Sequence, residues 1–232
     1  ISAFRDELGC FVSNGKVEVV EAGPVRATMR VTSTFGDSKI IQEVSIYPGI
    51  RRIDCRMTVH WHEQHRMLKL SIPVNIQAPV ATYEIPYGNI VRDSEGVEEP
   101  AQRWIDVTGR APNGVGEEIT YGVSLLNDSK YGADIKGSEL RMSVLRSPIY
   151  AFHDPRKPIP GVTYRYTDQG EQTLRYAIVP HTGEDWKAET VRSGHALNNP
   201  LIQTVESNHP GTLQPPNGFL EVEPANVVAV SY

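Results

Sequence analysis

The sequence is short of several features that would assign it quickly. It has two cysteines, Cys10 and Cys55, in 232 residues. Two are too few for a disulfide scaffold and point to a reducing, cytoplasmic setting, while a Cys10–Cys55 pair stays open. No apolar run approaches the roughly 20 residues of a membrane span, so no membrane partner is expected. The opening Ile1-Ser2-Ala3-Phe4-Arg5-Asp6 has neither an initiator Met nor the charged-then-apolar pattern of a signal peptide. The last residues, Val228 to Tyr232, read as a strand cut short, so both ends read as cuts within a longer polypeptide. The 23 Lys and Arg are scattered among 28 Asp and Glu, for a net charge of -5. No basic stripe forms, and a nucleic-acid partner is not expected. A Gly-rich phosphate loop, a paired-Cys metal motif and a Gly-x-Ser-x-Gly elbow are all missing.

What the sequence does have is period-two alternation. It runs through Val25-Arg26-Ala27-Thr28-Met29-Arg30-Val31, Ile53 to His62, Leu68 to Ile76, Leu140 to Val144 and Leu174 to Ile178. A helix, with a period of 3.6, cannot put such residues on one face, so these are half-buried antiparallel strands. Turn signals such as Glu21-Ala22-Gly23-Pro24 and Tyr47-Pro48-Gly49 separate them. Loops are expected over Arg92–Pro100, Arg110–Glu118 and the Pro-rich Asp154–Gly161. One helix is expected over about Glu184–Leu197, with Asp185 as its cap and Trp186, Val191 and Leu197 on its buried side. The fold class is all-β: two large antiparallel sheets packed face to face, with one short helix. Residues 1–210 form that sandwich. Residues 211–232 form a linker through Gln214-Pro215-Pro216-Asn217-Gly218 and the start of another β module.

Four groups of residues carry candidate chemistry. His60 and His62 point to one side of a strand, at a spacing where two imidazoles can share a metal. That side also carries Arg52, Asp54, Arg56 and Thr58, which describes a solvated face just as well. Arg103 and Trp104 follow an acidic loop. They suit sugar binding by stacking and bidentate hydrogen bonds, or else a core Trp beside an Arg paired to Glu98 or Glu99. Arg146 shares the parity of Leu140, Met142 and Val144, where the pattern asks for an apolar residue. It is either functional or marks the end of the strand before Ser147-Pro148. His153 with Asp154, and His181, are candidates for acid-base work or for structural roles.

Eight segments, in order, resemble landmarks of family 38 α-mannosidases. They are Gly23-Pro24-Val25-Arg26-Ala27, Ile53 through Glu63 with Leu68-Lys69, Tyr83-Glu84-Ile85-Pro86-Tyr87-Gly88, Gln102-Arg103-Trp104-Ile105-Asp106, Leu125 through Gly132, Leu145-Arg146-Ser147-Pro148, Pro180-His181-Thr182-Gly183 and Leu197-Asn198-Asn199-Pro200-Leu201. Together they span about Val17 to Leu201. The resemblance implies a galactose-mutarotase-like supersandwich. It also implies a parent enzyme that cleaves mannose-containing glycans with retention, using zinc. In that family the zinc ligands and the nucleophilic Asp lie in an N-terminal catalytic domain of the same polypeptide, so no metal site and no catalytic residue is expected in this chain. The sandwich packs on that domain and lends an Arg to the edge of the active site. Arg146 matches that position, although Ser147 stands where animal members have a second Arg. Arg103 and Trp104 are the other candidates for substrate contact. Two alternatives remain, an aldose mutarotase-like enzyme and a carbohydrate-binding sandwich. The mutarotase needs a His facing a carboxylate, drawn from His153 or His181 and Glu139 or Glu171.

Overall fold

The computed structural model describes residues 7–152, 156–183, 186–212, 222–224 and 227–229. After a single 3-10 turn, Phe11–Asn14, come four long strands: β1 (Lys16–Ala22), β2 (Ala27–Phe35), β3 (Ser38–Ile46) and β4 (Ile53–Trp61). They are followed by β5 (Met67–Pro73), β6 (Gln77–Ile85), β7 (Gly88–Arg92), β8 (Glu99–Pro100) and β9 (Trp104–Pro112). The rest of the order is β10 (Glu118–Asn127), β11 (Gly132–Lys136), β12 (Glu139–Arg146), β13 (Gly170–Thr182) and helix α1 (Trp186–Asn198). The expected two-sheet, antiparallel, all-β architecture with one helix is what the chain adopts.

The larger sheet has nine strands in the order β1-β2-β3-β4-β13-β10-β9-β6-β7, and the smaller has four in the order β5-β12-β11-β8. Alternation decides which side chains lie between them. Cys55, Met57, Val59 and Trp61 of β4, Leu174 and Tyr176 of β13, and Val123 and Leu125 of β10 all project inward. They meet Leu140, Met142 and Val144 from the small sheet. Complete burial of each such aliphatic side chain contributes about 1.5–3 kcal/mol. Cys10 and Cys55 are not joined in a disulfide. Burial pushes the Cys55 thiol up to about 11, which keeps it protonated and inert near neutral pH.

The central strands are covered on their other face too. Trp104, Leu126, Ala177 and Val179 form a second core under Trp186 and Leu197 of α1. The residues that α1 buries, Trp186, Thr190, Gly194 and Leu197, recur at helical spacing. A Cβ at Gly194 would lie 3.4 Å from Trp104, so the missing side chain lets the helix sit close. At its C-terminal end, Arg175 donates to the Leu197 carbonyl (3.1 Å), and the Asn198 amide donates to the Asn127 carbonyl (2.9 Å). The expected helix residues agree within two positions at the start and one at the end; its expected cap, Asp185, lies outside the described residues.

Two expected loops contain more structure than their composition suggests. Arg110, Ala111 and Pro112 continue β9, paired with Thr120, Ile119 and Glu118, so the loop is only 113–117. Within the acidic loop, Glu99 and Pro100 pair with Ala133 and Gly132 as β8. Gly and Pro content pointed to a turn there, but pairing with a neighbouring strand prevailed.

Candidate functional site

The candidate residues fall into two places on opposite sides of the sandwich. The first lies beneath α1. Arg103, at the entry to β9, makes a two-pronged pair with Glu84: Nη2 donates to Oε1 (2.7 Å), and Nε donates to Oε1 (3.0 Å). Glu84 is buried and also accepts the Arg103 backbone N–H (2.6 Å). The partner is thus Glu84 rather than Glu98 or Glu99. The remaining Arg103 nitrogen, Nη1, lies 3.1 Å from His195 Nδ1. A guanidinium only donates, so Nδ1 accepts and the imidazole is held neutral. Partial burial, then the adjacent Arg103 charge, lowers the His195 pKa in keeping with that tautomer. Trp104 is 1% exposed and packs edge-on to Trp186, with ring centroids 5.9 Å apart. It presents no open face for a sugar to stack on.

Beside that pair lies a polar network that the sequence did not disclose. Asp106, Ser124 and His181 point outward from β9, β10 and β13, where alternation would leave them in water. Helix α1 covers them instead. Asp106 is 0% exposed and His181 is 5% exposed. Thr108 donates to Asp106 Oδ1 (2.6 Å), while Ser124 donates to Oδ2 (2.7 Å). His181 Nε2 lies 2.7 Å from Oδ2, and Thr190 of the helix is 2.7 Å from the Ser124 hydroxyl. Ser124 has one proton and gives it to Asp106, so Thr190 donates to Ser124. The His181 ring stacks on Trp186 at 4.7 Å. Its buried Nδ1 has no partner among the described residues. An imidazole held this way orients a helix on a sheet.

Gly122 makes room for that ring. A Cβ there would collide with His181 Cε1 and lie 2.7 Å from both the Thr108 hydroxyl and the Val107 carbonyl. Backbone of the neighbouring strand cannot give way cheaply. Gly122→Ala is therefore expected to destabilise the chain by about 1–3 kcal/mol. At about 2–4 °C per kcal/mol for a chain of this size, the shift is readable in a melting curve. An unchanged Tm would contradict the packing described.

The second place is the end of β12. The parity assigned to Arg146 does not survive there. The β12–β5 register pairs Ser143 with Lys69 and then Leu145 with Leu68, so Val144 is an extra, bulged residue. Val144 and Leu145 are consequently both buried, and Arg146 is turned outward, exposed. Its cost-of-burial argument lapses, but its position becomes more accessible. The backbone is pinned on both sides: Arg146 N–H donates to Asp168 Oδ2 (3.0 Å), and its carbonyl accepts from Thr167 (2.8 Å). Among the described residues its guanidinium makes no hydrogen bond or ion pair.

Three segments converge around it. Residues 62–66 bond to Ser147 through His65 N–H to the Ser147 carbonyl and Ser147 N–H to the Arg66 carbonyl, both 2.8 Å. Thr167 N–H donates to the Pro148 carbonyl (3.0 Å). His65, Ala151 and Asp168 all adopt positive φ, near +54°, +53° and +53°. Such strain in non-Gly residues costs about 1–3 kcal/mol each and gathers at functional sites. The Tyr166 hydroxyl lies 3.2 Å from His65 Nε2, and Tyr150 is exposed. An outward guanidinium can donate to a hydroxyl-rich ring or a carboxylate.

The other candidates do not assemble. His60 lies 3.6 Å from Glu171 across the open face of the large sheet, while His62 falls beyond the end of β4. Among the described residues no three His, Cys, Asp or Glu side chains converge as metal ligands. Glu139 accepts from Ser71, so it does not face His181. His153 and Asp154 lie outside the described residues. Trp104 and Arg146 belong to different sheets and share no contact.

The sandwich with this layout has close relatives. The family model for the glycosyl hydrolases family 38 C-terminal domain matches residues 1–156. The chain belongs to this family. It is 33% identical over 174 residues to alpha-mannosidase 2C1 of Mus musculus, a match covering 72% of this chain and 15% of the mouse protein. Alpha-mannosidase G of Dictyostelium discoideum is 29% identical over 201 residues, covering 81% of this chain and 17% of that protein. A solved family 38 glycosyl hydrolase from Enterococcus faecalis superposes with a TM-score of 0.71 at 13% identity, over 86% of this chain and 26% of its own. The matched stretch of this chain thus spans under a fifth of the length of these two relatives.

Proposed function

We propose that this chain is the non-catalytic C-terminal domain of a zinc-dependent, retaining α-mannosidase. It packs on an N-terminal catalytic domain of the same polypeptide and completes an active site for mannose-containing glycans. Residues 1–210 supply the sandwich and 211–232 lead towards a further β module. The observation that carries the reading is Arg146. It is an outward guanidinium on a backbone pinned by Asp168 and Thr167, amid strained residues, in a domain whose relatives are α-mannosidases. Held this way, it offers a fixed planar set of donors to sugar hydroxyls or to a catalytic carboxylate. Arg103 acts indirectly, by fixing the β9 entry through Glu84. Trp104 acts by anchoring α1.

Zinc chemistry belongs to the catalytic domain in this reading. This reading places the metal ligands outside this chain. A reducing, cytoplasmic setting fits a chain of 232 residues with only two cysteines, of which Cys55 is a buried thiol. Among the described residues no helix is long and apolar enough to cross a membrane. The chain alone is expected to show no turnover of an aryl α-mannoside with zinc supplied. Zinc-dependent hydrolysis by the purified chain would overturn the proposal.

A further inference from the structure

The two sheets differ greatly in width, and the difference leaves one wing bare. β5 follows β4 after residues 62–66, and β9 follows β8 after residues 101–103. The small sheet therefore lies over the stretch from β4 to β9, with β5 as its edge on the β4 side. Beyond that edge, β3, β2 and β1 continue the large sheet; Phe11 of the 3-10 turn packs on Phe35 at one end of β2 and Ile40 of β3 is buried, but no strand of the small sheet lies opposite the rest of this wing among the described residues. Cross-strand partners share a face. Val44 pairs with the core residue Cys55, Met29 with Val44, and Val19 with Met29. Val17 and Ile46 lie on the same side, through Val31 and Ala27. These are inward-facing core positions by register, yet Val17 is 61%, Val19 69%, Met29 48% and Ile46 54% exposed. A soluble protein rarely leaves so contiguous an apolar face open unless something covers it.

The adjoining edge indicates what covers it. No strand pairs with the outer edge of β5 among the described residues, so its N–H and C=O groups are available for a ladder. Leu68, Leu70 and Ile72 of β5 are only half-buried. An extended segment bonded to β5 would sit opposite β3, and its inward side chains would fall on Val44, Met29 and Ile46. Relatives have ample further chain for it: the match covers only 15% of the mouse protein and 26% of the Enterococcus faecalis chain.

We infer that the small sheet is completed past β5 by at least one strand from elsewhere in the same polypeptide, which closes the core over β1–β3. The occupant has alternating apolar residues and pairs by backbone hydrogen bonds, as in strand addition. The inference rests on the reading that the chain is part of a longer α-mannosidase polypeptide. It concerns a face separate from Arg146.

Met29 is a built-in probe. In the intact polypeptide, peroxide should convert Met29 to the sulfoxide at least about tenfold more slowly than in the urea-unfolded polypeptide, read by peptide mass spectrometry. Backbone amides of residues 68–72 should exchange slowly in the same sample. Val19→Asp should lower its Tm by several degrees. Fast oxidation of Met29, or an unchanged Tm in the Val19 variant, would overturn the inference. Slow oxidation with fast exchange at 68–72 would overturn the strand as occupant. Loss of Met29 protection on dilution to the monomer would point to a second copy and also overturn it. Activity on an aryl α-mannoside is assayed on the same sample. A protected Met29 in an inactive enzyme would sink the proposed function while leaving this inference intact.

Discussion

Asp106→Ala is expected to destabilise the sandwich by about 3–5 kcal/mol, because it removes the one acceptor on which two buried donors and the half-buried Thr108 converge. Thr108, Ser124 and His181 all end on this carboxylate, and Thr190 of α1 is tied in through Ser124. Ser124 and Thr190 cannot turn to water under the helix, since both are 0% exposed. Asp106→Asn keeps the shape but replaces one accepting oxygen with a donor, and should cost about half as much. Equilibrium urea unfolding would show both effects as shifts in midpoint, and α1 should be the first element to lose amide protection. If Asp106→Ala unfolds at the wild-type midpoint, the network does not hold the helix as described.

That network marks where sequence reasoning reached its limit. Alternation located the strands because each inward residue of β4 and β13 pairs an apolar side chain with the core. The same alternation places Asp106, Ser124 and His181 outward, and outward normally means wet. Nothing local in the chain says that a helix some 60 to 80 residues after Asp106 and Ser124 will fold back over them. The segments that carry the family resemblance contained the clue: Glu84, Arg103, Asp106, Asn127, His181 and Asn198 all come from them, and all meet around α1. Several of these landmarks thus have a structural explanation: they dock one helix on one sheet.

Arg146 shows a different limit. Its selection from parity assumed an unbroken period of two along β12. A bulge at Val144 adds one residue and reverses the phase, so the residue expected inward faces out. A bulge of this kind between Ser143 and Leu145 has no sequence signature here, since neither Gly nor Pro is involved. The exposed wing of β1–β3 was also illegible. Its residues alternate like any half-buried strand, and only the width of the opposing sheet reveals that they lack cover.

The central claim is that the domain completes an active site through Arg146, and one measurement tests it most directly. In the intact polypeptide proposed to be an α-mannosidase, kcat/KM on an aryl α-mannoside is compared with Tm for wild type, Arg146→Ala and Arg146→Lys. The exposed guanidinium has no partner among the described residues, so its loss should leave Tm within about 1 °C. Removal of a planar donor from the active-site edge should lower kcat/KM by about 10- to 100-fold, or about 1.4–2.8 kcal/mol of transition-state stabilisation. Lys keeps the charge without the planar geometry and should recover only part of that loss. This pattern, a catalytic deficit with intact stability and partial rescue, is what the account predicts. Wild-type kcat/KM in Arg146→Ala, or a deficit that follows a fall in Tm, would contradict it.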